Sequence, residues 1–381
     1  MWPGRCSARW SRGESLWRPV RRAPRADPCR SARVYGRPGV YHAASHAASG
    51  LTERSGLPGI SLVTGGAGFI GSHLVEWLCR DGVEVLILDD LSTGSPDNLR
   101  SLLDGTAGRC RLVEGTVGTV LRDRPDVLDG VDRVYHLAAT VGVRVVAERP
   151  VPMMRNNFEQ TQMLLEAVSG RDARVLIASS SEVYGRNVRM PLREDDDLVM
   201  GPTTSRRYCY GLTKALDEHM ALAYHEQGAL GAVIVRFFNV IGSRQIGQWG
   251  MVVPRFVEAA VRSDDLVVYG DGSQTRTFCD VRDVVTALVA LMDDSAHAGG
   301  VFNLGSDREI TIDALADAVI AAAESDSAKR YVPFADAYRP GFEDTLRRVP
   351  DLTRIREAIG FRPGYPLDRT LRDLVELARG R

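Results

Sequence analysis

Tyr210 and Lys214 stand four residues apart in Tyr210-Gly211-Leu212-Thr213-Lys214, a spacing that puts both side chains on one face of a helix. An ammonium beside a phenol lowers the phenol's pKa from its usual value of about 10. Such a pair can act as the general base for a hydroxyl proton. Lys214 and Lys329 are the only two lysines among 381 residues, so a lysine at this spacing is informative. Tyr208 and Tyr224, by contrast, read as packing residues. A second cluster is Ser179-Ser180-Ser181-Glu182. Hydroxyls beside a carboxylate could form a polar floor for a substrate, or the serines could cap a turn. The third is Val63-Thr64-Gly65-Gly66-Ala67-Gly68-Phe69-Ile70-Gly71, where the glycines fit a phosphate-binding turn.

These residues need a scaffold. Ile60 to Val63 reads as a buried strand, and Phe69, Ile70, Leu74, Val75 and Leu78 recur at helical spacing. The glycines therefore sit on a strand-to-helix turn. Gly65 would allow the tight turn, Gly68 the close approach of a pyrophosphate, and Gly71 close packing of helix on strand. Val83 to Leu88 is a second apolar run ending at Asp89-Asp90, about 20 residues on, where a carboxylate would accept from ribose hydroxyls. It would also repel a 2′-phosphate, which favours NAD over NADP. Tyr135-His136-Leu137-Ala138-Ala139 ends a further strand with small residues that admit a cofactor. His136 reads there as a packed, hydrogen-bonded histidine.

Strands are expected at 60–64, 84–88, 110–113, 132–137, 174–178 and 232–237. Helices are expected at 71–80, 157–169, 208–228, 252–263, 281–293 and 312–323. This alternation implies an α/β fold with a Rossmann-like, doubly wound parallel sheet. Past Phe238 the alternation fails, and stretches rich in Gly, Pro and Arg (242–255, 270–280, 338–350) separate short elements. The expected organisation is a cofactor-binding domain over 58–238 and a smaller C-terminal α/β substrate lobe over 239–381, with crossings back to the sheet. That lobe would close over the carboxyl ends of the strands.

The formal net charge of −1 hides an asymmetry, because residues 1–50 carry ten arginines against Glu14 and Asp27. Residues 1–57 lack helical or strand periodicity. They read as a disordered extension, or as the product of a start codon assigned too early. A basic arm for acidic partners and a targeting peptide are the other accounts. Cys6, Cys29, Cys79, Cys110, Cys209 and Cys279 show no paired metal spacing; no metal site is expected, and the thiols fit a cytoplasmic protein. No apolar run approaches the ~18 residues of a membrane span. Neither membrane nor nucleic acid is an expected partner.

Together these pieces resemble the extended short-chain dehydrogenase/reductase family, the NAD-dependent sugar-nucleotide epimerases and dehydratases. The likeness runs from about residue 59 to the C-terminus. It comprises TGGAGFIGSHL at 64–74, Asp89, YHLAA at 135–139, Asn157 within NNFEQT, SSSEVYG at 179–185 and YGLTK at 210–214. RFFNVIGSRQ at 236–245, VYGDGSQTRTF at 268–278 and GFEDTLRRVPD at 341–351 complete it. The resemblance implies NAD, held by Gly65, Gly68, Phe69, Ile70, Gly71, Asp89, Leu137, Ala138 and Lys214. It implies a UDP-sugar contacted by Asn239, Val253, Tyr269, Arg276 and Glu343 or Asp344. Tyr210 would be the base, Lys214 would bind the nicotinamide ribose and keep Tyr210 acidic, and Ser180 would hydrogen-bond the same hydroxyl. Helices 157–169 and 208–228 match the family's dimer bundle, which makes a homodimer the default, although either apolar stripe could be intramolecular core. Two positions depart from the pattern: Glu114-Gly115-Thr116 where an Asp often follows Gly, and Gln160 in place of a glycine. Both put the adenine contacts in doubt.

The strand-five cluster separates the family's reactions. Sugar 4,6-dehydratases place an Asp-Glu pair before Val-Tyr-Gly, whereas here Ser181 precedes Glu182, and simple 4-epimerases usually lack an acid at that second position. Ser181-Glu182 looks like the UDP-glucuronate decarboxylases. The implied reaction is oxidation at C4 and loss of the C6 carboxylate as CO₂, giving UDP-xylose, a UDP-4-keto-pentose, or both. Ser181 or Glu182 would turn the carboxylate out of the ring plane, and Arg276 would reprotonate C5 or bind the diphosphate. A UDP-sugar 4-epimerase is the alternative. A dehydratase or a non-catalytic NAD-binding protein stands further off, since this chain keeps both Tyr and Lys.

Overall fold

The computed structural model describes residues 59–105, 108–142, 146, 148–247, 250–337 and 345–380. The arm at 1–57 and the expected nucleotide contacts Glu343 and Asp344 lie outside the described residues. Seven strands form one sheet: β1 (Ile60–Thr64), β2 (Glu84–Asp89), β3 (Cys110–Glu114), β4 (Val131–His136), β5 (Arg174–Ser180), β6 (Gly231–Phe237) and β7 (Val301–Leu304). Their spatial order is β7-β6-β5-β4-β1-β2-β3, and every neighbouring pair is parallel. The chain starts mid-sheet, winds outward to β3, and reverses between β1 and β4, where such sheets open a crevice at the strands' carboxyl ends. This is the Rossmann-like architecture expected from the alternation.

The strands form because both sheet faces are buried. The longer helices are α1 (Phe69–Arg80), α2 (Pro150–Val168), α3 (Cys209–Glu226), α4 (Val252–Val261), α5 (Val281–Asp293), α6 (Ile312–Ala322) and α7 (Leu367–Arg379). Val63, Val85, Ile87, Tyr135, Leu176 and Val233 point to one face and pack with α1 and α5. Their alternates Leu62, Leu86, Val134, Val175 and Ile234 point to the other and pack with Leu164, Leu165 and Val168 of α2 and Ala221 of α3. The period of two along each strand thus feeds two cores, so the strands read as continuous apolar runs. A third cluster joins Val253 and Phe256 of α4, Leu315 and Val319 of α6, and Leu371 and Val375 of α7.

Three differences from expectation have physical causes. α2 starts at Pro150 rather than 157, because Pro150 and Pro152 occupy its first turn, where a missing N–H costs nothing. β7 was not expected; four residues carry no usable periodicity, and the segment becomes a strand by pairing with β6 and burying Phe302 and Leu304. α7 was also missed, since only Thr370, Leu371 and Val375 of its charged sequence are buried.

The turn between β1 and α1 has no spare volume. A Cβ on Gly71 would lie 2.1 Å from the carbonyl oxygen of Gly65 and 2.8 Å from the Cα of Gly66. Gly71→Ala should therefore destabilise the fold by about 1–3 kcal/mol, as overpacking does. Urea unfolding would show a lower midpoint at unchanged m-value; an unchanged midpoint would mean the turn can yield.

Candidate active site

The glycine turn is held on three sides. Gly65, at φ +71°, donates its N–H to Leu88 O (2.8 Å) at the end of β2. A Cβ there would meet the backbone nitrogen of Ala138 at 2.8 Å. Asp89 accepts from Ala67 N (2.9 Å) and Leu91 N (2.8 Å), so the acid at the end of β2 also shapes the turn. Burial lifts its carboxyl above the ordinary value, against those two backbone donors. Leu137 N donates to Thr64 O (3.1 Å) and Ala138 N to Thr64 Oγ1 (3.2 Å), which brings the end of β4 against the turn. Phe69 and Ile70 open α1 and are packed against the core beneath. The first-turn N–H groups of α1 have no acceptor within their own helix and carry its positive dipole end.

A buried polar chain runs behind this turn. His136, 1 % exposed, pairs through Nδ1 with Thr64 Oγ1 (2.8 Å) and through Nε2 with Thr161 Oγ1 (3.1 Å). Burial, then the charge of Lys214, pushes the imidazole down to about 3, so it is neutral and packed. On α3, Lys214 Nζ donates to Asp217 Oδ2 (3.2 Å), and both side chains are buried.

Tyr210 is half-buried on the first turn of α3, in hydrogen-bonding contact with the Ser180 hydroxyl. The expected lowering of its phenol by Lys214 is not found. Burial pushes the phenol up, and the carboxylates of Glu182 and Asp217 add to the rise, while Lys214 spends its charge on Asp217. Ser180 also accepts from Glu182 N (3.2 Å) and caps the short turn Ser181–Tyr184, so the capping and floor readings coexist. Glu182 is clamped by two arginines. Arg207 binds both its oxygens, with Nη2 at 3.0 Å from Oε1, and Arg348 Nη1 donates to Oε1 at 2.6 Å. Burial would raise this carboxyl, but the guanidiniums of Arg348 and Arg207 outweigh it and hold it well below the usual carboxylate range. Ser181 is buried with its oxygen 3.4 Å from Arg348 Nη1.

Glu182, Arg207 and Arg348 line a cavity that Asn239, Val253, Tyr269 and Arg276 also line. Sequence reasoning had assigned these last four to the substrate, and the fold brings them together. Asn239 donates to Thr277 O (2.9 Å), and the Arg255 guanidinium sits 4.8 Å over the Tyr269 ring. Arg276 donates to Thr275 O (2.8 Å). Buried acceptors Gln245 Oε1 and Gln274 Oε1 have no hydrogen-bond partner on residues that line the same cavity. Arg207, Arg255, Arg348 and both glutamines were missed as site residues; nothing in their local spacing signals them. The two departures near the adenine region have local work: Thr116 caps the following helix through Thr119 N (3.2 Å), and Gln160 accepts from Gly118 N (2.8 Å).

Residues 61–305 match the NAD dependent epimerase/dehydratase family. The chain is 37 % identical to the UDP-N-acetyl-alpha-D-glucosaminuronate decarboxylase of Bacillus cytotoxicus over 84 % of its own length and 97 % of the relative's. It is 34 % identical to UDP-glucuronic acid decarboxylase 1 of Arabidopsis thaliana, covering 84 % of this chain and 70 % of that one. Among solved structures it resembles the UDP-glucuronic acid 4-epimerase of Bacillus cereus in complex with UDP-glucuronic acid and NAD, with a TM-score of 0.73 and 27 % identity over 84 % and 99 % of the two chains. With the glycine turn, the Tyr210/Lys214 pair and the shared cavity in place, the chain belongs to the NAD dependent epimerase/dehydratase family.

Proposed function

We propose that this chain is a UDP-hexuronate decarboxylase that uses NAD and acts on UDP-glucuronate. The observation that carries the proposal is the Glu182 clamp. Two guanidiniums on one carboxylate bring cationic groups into the wall of the cavity, an environment suited to a sugar that bears its own carboxylate. The same clamp keeps Glu182 ionised, so it cannot serve as the general acid that a dehydratase needs. The decarboxylase relatives, at 34–37 % identity, support the reading.

The residues present fit NAD. Gly65 and Gly71 leave no side chain in the turn, Asp89 ends β2 with lone pairs to spare, and the start of α1 presents unpaired N–H groups to a pyrophosphate. Phe69, Ile70, Leu137 and Ala138 would wall the site, and Lys214 would meet the nicotinamide ribose. When bound, NAD supplies the hydride acceptor at the sugar's C4. Tyr210 would take the C4 hydroxyl proton, with Ser180 donating to the phenol oxygen. A ketone at C4 is β to the C6 carboxylate, so CO₂ can leave with its electrons delocalised as an enolate. Ser181, Glu182 and the clamping arginines would hold that carboxylate out of the ring plane. Arg276 would bind the diphosphate or return a proton to C5, with Asn239, Val253 and Tyr269 on the nucleotide. Glu343 or Asp344 would complete that contact. In this reading residues 58–238 hold NAD and 239–381 the UDP-sugar, in a cytoplasmic homodimer built on α2 and α3, where Val151, Leu212 and Leu216 are exposed.

A 4-epimerase is the second reading, favoured by the likeness to the UDP-glucuronic acid 4-epimerase structure. Incubation with UDP-glucuronate, and in parallel with UDP-N-acetylglucosaminuronate, should release CO₂ and give a UDP-pentose mass from at least the first. A product of unchanged mass would establish the epimerase instead. Tyr210→Phe should slow turnover by roughly 10²–10⁴; near-normal turnover would remove the phenol from its role. Sedimentation should report twice the chain mass, and a monomer at assay concentration would dismiss the bundle.

A further inference from the structure

Lys214 is the cation that the chemistry requires beside Tyr210, yet its ammonium is taken up one turn further along the same helix. Lys214 Nζ donates to Asp217 Oδ2 at 3.2 Å, with side-chain exposures of 2 % and 0 %. We infer that Asp217 sets the acidity of the Tyr210 phenol. It neutralises Lys214, so that this carboxylate fixes the pH at which the base begins to work. The inference rests on the reading of Tyr210 as the base.

Glu182 and Asp217 both hold the Tyr210 phenol up, Glu182 the more strongly, but only Asp217 is paired with the lysine on the phenol's own helix. Asp217 follows Lys214 by three residues and Tyr210 by seven, so all three share one face of α3. Glu182, on the turn after β5, is matched by Arg207 from before α3 and Arg348 from the C-terminal segment. Glu218, the neighbour of Asp217, is paired to Arg236 of β6 (2.7 Å). His136 of β4 is neutral. Ser180 of β5 and Thr161 of α2 bring hydroxyls only. Lys214 and Asp217 are thus a closed pair of zero net charge, and Asp217 is the carboxylate whose loss would release the lysine's field without breaking another ion pair.

Asp217 is also poorly solvated. Its Oδ1 is buried, with the Thr161 hydroxyl as its one polar neighbour beside Lys214, and that hydroxyl also donates to Asn157 O (3.0 Å). Burial lifts the Asp217 carboxyl above its ordinary value, against the pull of Lys214. A carboxylate this deeply buried acts on its surroundings through its field, little screened by solvent. The raised phenol of Tyr210 is consistent with that field.

The test titrates the phenol of the full chain by tyrosinate ultraviolet absorbance, each protein paired with its own Tyr210→Phe form so that the difference belongs to residue 210. Asp217→Asn removes the charge and keeps an oxygen for Lys214. Its phenol should titrate lower than the parent's by roughly one pH unit or more. The acidic limb of kcat/KM, for whichever UDP-sugar turns over, should move the same way, with KM at the plateau changed less than about twofold. Asp217→Glu should return the parental midpoint, and Asp217→Ala repeats the test if the Asn protein folds poorly. A phenol that titrates no lower in the charge-free variants, including one still protonated when the protein unfolds in alkali, overturns the inference. So does a Glu variant that behaves like Asn, which would assign the effect to shape. Failure of any UDP-sugar to turn over would instead strike the proposed function and leave the spectroscopic midpoint to decide this inference alone.

Discussion

The backbone between Thr64 and Gly71 passes between two strands and a helix with no volume for a side chain at Gly65, Gly66 or Gly71, and the rest of the site is arranged to suit that passage. Gly65 is pinned to Leu88 of β2, and Ala67 to Asp89 at the end of that strand. Thr64 receives Leu137 and Ala138 from beyond β4. One close-packed turn therefore fixes the distance between β1, β2, β4 and α1. In each contact a backbone N–H donates to a backbone or side-chain oxygen at 2.8–3.2 Å, and in a buried setting an unmade bond costs more than a made one contributes. A small disturbance of the turn is then felt at every strand end around it.

Electrostatics sorts the rest. Apart from Asp89 at the turn, the buried acids near the proposed reaction centre have cationic partners: Glu182 with Arg207 and Arg348, Glu218 with Arg236, Asp217 with Lys214. Pairs of this kind need not stabilise a fold relative to apolar packing. Here they hold charges at fixed positions around a phenol, which is a different use. Glu182 is held as an anion and the Tyr210 phenol is held up by burial and by Glu182 and Asp217, so the charge pattern around the phenol is set before any sugar arrives.

How much of this was legible in the sequence follows the range of the interactions. The sheet's first six strands came from local apolar runs, with ends differing by at most two residues. The glycine turn and the Tyr210/Lys214 pair were legible because each lies within one short stretch whose spacing is the chemistry. The Lys214–Asp217 bond is equally local, at three residues, but spacing alone offers Lys214 neighbours on both sides along the helix and does not say which one takes its charge. Tyr210's acidity could not be read from spacing, since burial and Glu182, 28 positions earlier in the numbering, decide it. The same limit hid Arg207 and Arg348, whose partner is distant in sequence.

The overlooked strand and the overlooked arginine turn out to be one feature. Asn303, fully buried on β7, accepts from Tyr184 OH (2.7 Å) and donates through Nδ2 to Leu192 O (2.9 Å) and Asp351 O (3.2 Å). Leu192 in turn bonds Val349 and Asp351 through its backbone at 2.8 and 2.7 Å. This mesh stitches the segment carrying Arg348 to the sheet edge, within reach of Glu182. Tyr184 belongs to the same short turn as Glu182, so carboxylate and arginine are delivered by two sides of one network. A four-residue strand with no readable period thereby places a charge in the centre of the site. Local pattern could reveal neither half, because each acquires its meaning only from the other.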